Sequence, residues 1–407
     1  MRLLLQMAWR NIWRNKRRTL ITISSIVLAM VLSVIMRSMQ LGSYSKMIDD
    51  VVGIYSGHVQ LHAKGYWDDK TINNTFELPD SLKNSILQHS NVIDLIPRLE
   101  SFALAAGKER SHESFVVGIS PDKETRMTRL RDKVIKGTYF DASGKGTLVA
   151  QGLASFLKLD IGDSIVLFSQ GYHGVNAAGA YPVTGIVKFS SPEINRTFLY
   201  LDLESAQQLF STENLFTSIV VNMTNPRNVE ETTKDLIAVI DTTKYEVLDW
   251  KELLPELVQQ IQGDNAGGLI MLGILYMIVA FGIFGTILMM TTERIREFGI
   301  VNALGLGRMK LSVMVALETT LLAAVSIVTG AILSYPVIMH FHNHPIHLTG
   351  EMAKGMVNFG VEPVLPFSLD PGIYLHQAFL ILLITLGSTI YPLLVLKNLK
   401  PVAAMRA

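Results

Sequence analysis

The sequence contains no cysteine, which excludes a disulfide framework, a thiolate metal site, a cysteine nucleophile and lipidation at cysteine. Charge is scarce too. Only 17% of the residues are Asp, Glu, Lys or Arg, against about 25% in soluble domains, while 49% are hydrophobic. A formal net charge of +1 supplies no unbalanced basic surface for a duplex, so no nucleic-acid partner is expected. Catalytic signatures are missing as well. A Walker A loop needs a glycine five positions before its Gly-Lys pair, and the candidate Gly144 with Lys145 has Tyr139 there. The run Gly162, Asp163, Ser164, Ile165 reads as a turn rather than a nucleophile site, and neither G-x-S-x-G nor H-E-x-x-H occurs.

What the chain does have is long uncharged runs, at residues 19–36, 266–292, 319–339 and 377–396. A hydrocarbon core of about 30 Å takes about 20 helical residues, so each run is a candidate span. The first reads as a retained anchor, because Arg37 follows it and no small-residue cleavage pattern does. Arg2, Arg10, Arg14, Lys16, Arg17 and Arg18 precede the first run, and Lys397, Lys400 and Arg406 follow the last. Arg294, Arg296, Arg308 and Lys310 lie between the second and third, whereas Lys354 is the sole Lys or Arg between the third and fourth. The positive-inside rule then places both termini in the cytoplasm.

The expected organisation is therefore a cytoplasmic amphipathic helix (1–18), a first span (19–41), a non-cytoplasmic domain (42–264), a second span (265–292), a cytoplasmic helix (293–310), a third span (311–339), an outer loop (340–372), a fourth span (373–396) and a cytoplasmic tail (397–407). The second uncharged run, at about 1.5 Å per residue, exceeds the bilayer core by roughly 10 Å. Helical spacing continues in Leu41, Tyr44, Ile48, Val51, Val52 and Tyr55, and in 251–262 with Pro255 near its first turn, which suggests two stalk helices or amphipathic linkers.

Within the outer segment, short apolar or alternating runs read as strands near 58–62, 92–95, 114–119, 146–150, 164–168, 182–187, 197–201, 218–222 and 245–248. Helices are expected near 154–159, 203–210 and 229–240, giving an α+β domain, and the Gly/Ala-rich segment 169–181 is expected as an exposed loop.

Several polar or small residues stand out against the apolar runs. His340, His342, His344 and His347 could converge on a cation or form an interfacial loop. Glu318 lies about two turns inside the third span, where an unpaired carboxylate is costly; it could pair with a basic group such as Arg308, sit near the interface or face water. Ser326, Gly330 and Ser334 make a small-residue stripe on which some helix can approach closely. In the N-terminal helix, Leu5, Ala8, Trp9, Ile12 and Trp13 share one side opposite the arginines, as expected for a helix in the headgroup layer.

The most informative segment is ERIREFGIVNALG, residues 293–305, charged at its start, helix-patterned, ended by glycine and set between two apolar runs. With the opening AWRNIWRNKRRTLITI, the closing KPVAAMR and the internal runs GTLVAQGLASFLKLDIGDSIVLFS and TFLYLDLESAQQLF, it resembles the FtsX-like permeases of the MacB and LolC/LolE type, subunits of ATP-binding-cassette transporters. That resemblance implies a membrane protein with four α-helical spans and a large α+β, MacB-like periplasmic domain between the first two, in the bacterial inner membrane. It implies a non-catalytic permease subunit that relays the motion of a separate ATPase, which binds ATP and Mg, so no cofactor is expected in this chain. Partners would be the ATPase, a second permease subunit as homodimer or heterodimer, membrane lipid, and a lipoprotein with its periplasmic carrier. The family alternatives are export of another amphiphile or peptide, or an FtsX-type transmitter acting on a periplasmic hydrolase. The coupling residues carried over by position are Glu293, Arg294, Ile295, Arg296, Glu297, Phe298, Gly299, Val301, Ala303, Leu304 and Gly305, with Phe298, Val301 and Leu304 as apolar anchors in the ATPase.

Overall fold

The computed structural model describes residues 2–14, 16–140, 146–303, 307–358 and 361–397. The chain divides into two compact units, one formed by residues up to Tyr44, Ile261–His347 and those from Val364, the other by Ser45–Gln260 and Leu348–Pro363.

Four helices among the described residues, lying wholly or mostly in the first unit, are long and apolar enough to cross a membrane: Thr19–Ser56, Pro255–Glu293, Arg308–Asn343 and Pro371–Lys397, the last interrupted at Thr389. The second begins at Pro255, whose missing N–H falls among the four helix-start donors that lack an intrahelical acceptor anyway. The expected helix over 251–262 is thus divided, with a short turn Trp250–Leu253 before it. Ile26, Met30 and Val34 of the first helix pack with Ile283, Ile287, Ile338 and Ile381 of the other three. The small-residue stripe finds its partner here. A Cβ at Gly330 would stand 2.6 Å from Met30 Cβ, so the third helix rests directly on the first helix of the same chain. Gly42 allows a similar approach, since a Cβ there would meet the Pro366 carbonyl oxygen at 2.2 Å, and Ser38 Oγ donates to the Ser368 carbonyl at 2.7 Å.

The second unit is built on a mixed sheet of ten strands: β1 (Val59–Ala63), β2 (Val92–Ala106), β3 (Ser111–Ile119), β4 (Val134–Gly137), β5 (Thr147–Ala150), β6 (Ser164–Gln170), β7 (Asn176–Val187), β8 (Phe198–Asp202), β9 (Ser218–Met223) and β10 (Tyr245–Asp249). Their order is β10-β1-β9-β2-β3-β8-β5-β7-β4, with β6 bridging β2 and β7. The β3–β8 and β5–β7 pairs are parallel and the others antiparallel. Helices Gln151–Leu157 and Leu203–Phe210 cover one face, burying Leu153, Leu157 and Phe210 against Leu99, Val116 and Leu199. Gly118 permits that contact, because a Cβ there would lie 2.4 Å from Ala206 Cβ. The expected α+β class holds.

Two local expectations fail for the same reason. Segment 169–181 is not a loop but a hairpin, β6 paired with β7 around the turn Tyr172–Gly174. Local Ala/Gly content signals a loop, whereas long-range pairing and burial of Ala177 in the core decide for strand. Strand β2 likewise runs 15 residues rather than four, carried through Pro97 by β9, whose Ile219 lies opposite it, and onward from Arg98 by β3.

Candidate coupling site between the second and third membrane helices

The second long helix ends at Glu293, the chain turns at Arg294, and a short helix Ile295–Ala303 leads toward the third. Leu304 and Gly305, expected as an anchor and a helix stop, lie outside the described residues. The turn is pinned by charge. Arg294 Nη1 donates to both carboxylate oxygens of Glu318 at 2.8 Å, with side-chain exposures of 13% and 4%. Glu318 therefore pairs with Arg294 and not with Arg308, which instead reaches the Lys397 carbonyl at 3.2 Å. A carboxylate this buried requires such a partner, since removing either charge strands the other. Arg294 also lies 5.0 Å from the centroid of the Phe298 ring and 3.6 Å from Glu297.

The N-terminal helix Arg2–Arg14 joins this cluster. Arg14 donates to Glu297, and Asn11 Nδ2 lies 3.9 Å from Met314 Sδ. Arg14 holds the Glu297 carboxyl below the usual carboxylate range by that hydrogen bond. Ala8 and Ile12 are buried, while Trp9 and Trp13 pack edge to face and remain 45% exposed each. The apolar side expected to enter lipid whole is therefore split between protein packing and an open tryptophan edge. Asn11, Arg14, Glu293, Arg294, Glu297 and Glu318 border a polar cleft of about 210 Å³.

The apolar stripe of the short helix faces inward. Phe298 is 3% exposed and packs with Leu311, Met314, Val315 and Leu396, with Ile295 and Val301 against that cluster. Phe298 is thus spent on packing within this chain, against the third helix, and Val301 borders the same cluster half-buried. Gly299 is buried as well. The exposed residues of the short helix include Arg296, Ile300 and Ala303, at spacings that keep one side of a helix, and Glu293 is exposed at the end of the preceding helix. Ile300, 44% exposed, is the large apolar residue on that open side. Its signal was present as an apolar residue out of phase with the core stripe.

The remaining candidates are placed as follows. His342 Nδ1 meets the Phe367 carbonyl at 2.7 Å, and the His340 and His344 rings stack at 5.1 Å. Among the described residues no three His, Cys, Asp or Glu are grouped to hold a metal. Ser164 opens β6 after Gly162, whose φ of 84° makes the turn there.

Four apolar helices, a mixed-sheet unit inserted between the first two, and an ion-paired short helix between the second and third define a membrane permease architecture. The chain belongs to the family of proteins with a MacB-like periplasmic core domain, whose profile matches residues 19–239, and residues 269–401 match the FtsX-like permease C-terminal profile. It is similar to the lipoprotein-releasing system transmembrane protein LolC of Xylella fastidiosa, 26% identical over a match covering 58% of each chain, and to that of Neisseria meningitidis serogroup B, 21% identical over 95% of this chain and 94% of the relative. The chain thus matches little more than half the length of the Xylella relative. Among solved structures it is similar to the extracellular domain of the transporter YknZ from Gram-positive bacteria (16% identity, 47% of this chain and all of the other, TM-score 0.34) and to the periplasmic region of MacB from Actinobacillus actinomycetemcomitans (14% identity, 53% and 98%, TM-score 0.36). Family and apolar helices together make it a protein of the bacterial inner membrane.

Proposed function

We propose that this chain is the permease subunit of an ATP-binding-cassette transporter that releases lipoproteins from the inner membrane to a periplasmic carrier, driven by a separate ATPase. The observation that carries this reading is the double ion pairing of the turn at Arg294. Through Glu318 it is fastened to the third helix, and through Glu297 and Arg14 to the N-terminal helix. A push delivered to the short helix would move those elements together. The ATPase binds ATP and Mg; this chain supplies the seat, with Arg296, Ile300 and Ala303 as the contact stripe and Glu293 at its edge. Both termini and this turn face the cytoplasm, and two permease subunits share the membrane core. Lipoprotein as cargo rests on the similarity to the LolC proteins of lipoprotein-releasing systems.

Co-purification with the ATPase, after Ile300→Glu, tests the reading. Ile300→Glu is expected to abolish it while leaving the thermal transition of the permease within about 1 °C, as usual for exposed sites. Retention of the ATPase by this variant contradicts the seat. Because the chain has no cysteine, a single introduced Ile300→Cys reports sidedness, and labelling from the periplasm in intact cells would overturn the orientation.

A further inference from the structure

The second unit carries a ring ladder that coupling does not use. Phe102 on β2 registers with Phe115 on β3, and Phe115 with Phe198 on β8. Ring centroids lie 4.9 and 5.0 Å apart, and Tyr55 closes the end 5.0 Å from Phe198. Paired residues project from the same face of a sheet, so the rings make one apolar floor, and Phe102 remains 49% exposed. Over this floor lies a cavity of about 520 Å³, within the range of roughly 300–1,000 Å³ typical of small-ligand sites.

The walls are acidic and rich in acceptors. Glu100, 4% exposed, accepts the hydroxyls of Tyr55 and Ser218, the latter at 3.1 Å. Arg98 forms a longer ion pair with it at 3.9 Å, while its guanidinium donates to Glu124 at 2.6 and 3.0 Å and to the Tyr55 carbonyl at 2.6 Å, so one cation is shared between two carboxylates. Glu113 and Glu193 also line the cavity and have no ion-pair partner among the described residues. Lys70, 3.5 Å above the Trp67 ring, is the sole Lys or Arg among the described lining residues. Three carboxylates therefore face one ammonium. Two buried side chains contribute further: Gln60, 1% exposed, donates to the Ser56 carbonyl and keeps Oε1 unpaired, and Ser56 Oγ is unpaired as well. Buried acceptors without donors are rare in folded proteins.

We propose that this cavity binds an amphiphile whose apolar chain ends in a protonated primary amine, the ammonium held by Glu100 and Gln60 Oε1 and the chain laid along Phe102, Phe115 and Phe198. An ammonium offers three donors and no acceptor, which matches the unpaired Gln60 Oε1 and the excess of carboxylates in the wall, and ring faces attract cations. A carboxylate-headed chain would meet three like charges. The assignment stands independently of the coupling reading.

The test is titration calorimetry of the full chain in phosphatidylcholine nanodiscs, whose quaternary headgroups lack N–H donors, with empty nanodiscs as reference. Decylamine is expected to bind saturably, one per chain, and decanoate at least tenfold more weakly. Phe102→Ala, at a half-exposed position, is expected to weaken decylamine at least fivefold with an unchanged unfolding transition. The exposed pair Glu113→Gln with Glu193→Gln is expected to weaken it severalfold, less so at high salt. Equal binding of decanoate, or decylamine binding unaltered by both variants, overturns the proposal. So does concentration-dependent self-association that Phe102→Ala abolishes without amine binding, because the ring face would then be covered by a second copy.

Discussion

Glu318 and Arg294 lie 24 positions apart in sequence, yet two contacts of 2.8 Å join them where the second helix turns toward the third. The pair converts a costly intramembrane carboxylate into a fastening. It also fixes which way the short helix presents its surfaces, since Arg294 simultaneously covers the Phe298 ring.

Arg294→Ala is expected to destabilise the protein by about 3–5 kcal/mol, the range for orphaning one member of a buried pair. Combining it with Glu318→Leu should recover a substantial part, because no charge is then left stranded. Thermal unfolding in detergent checks this, and a double variant less stable than the single one would refute the assigned pairing. Arg294→Lys should fall between, lacking the planar cation that packs on Phe298.

The Arg14 and Glu297 pair is half exposed, so its loss is expected to cost under about 1 kcal/mol. Its pH dependence has a definite sign. Arg14 depresses the Glu297 carboxyl, so the contribution is present above the unfolded value of about 4.3 and disappears as pH falls through the lower folded value. The stability gap between the parent and Glu297→Gln should accordingly be flat from pH 7 to pH 5 and close in more acidic solution. A gap that widens with acid would contradict the pairing.

Phe298 and Ile300 should respond oppositely to the same change. Phe298→Glu places a charge in the cluster with Leu311 and Met314 and is expected to prevent stable folding, and Phe298→Ala to cost about 3–5 kcal/mol. Ile300→Glu, on the open side, should leave unfolding unaffected. Comparing the two by thermal melting separates core from contact surface.

Gly330→Leu should disrupt the contact between the third and first helices, because even a Cβ stands 2.6 Å from Met30 Cβ. A loss of about 1–3 kcal/mol, typical of overpacking, is expected. Met30→Ala should restore part of it if the clash is the cause, as measured by the melting midpoint of the double variant.

The spans, the mixed class of the second unit and the short helix were all legible in residue order. Hydrophobic run length and short-range periodicity are local properties, and the apolar helices at Pro255–Glu293 and Arg308–Asn343 cover the runs that announced them. The hairpin at 169–181 was hidden because Ala177 and Ala180 carry no strand signal of their own and are strands only by pairing with Ser169 and Val166. Helical projection likewise grouped Phe298 with Val301 without saying what lay opposite.

Sequence alone determined that this chain lives in a membrane, that an inserted domain follows its first crossing, and that a charged helix separates the second from the third, because desolvation acts on each residue wherever it lies. Only the tertiary structure decided which charges neutralise one another, which side of the short helix stays open and which rings line one cavity with Glu100. Those outcomes depend on residues far apart in the chain meeting in space, and no local period encodes such a meeting.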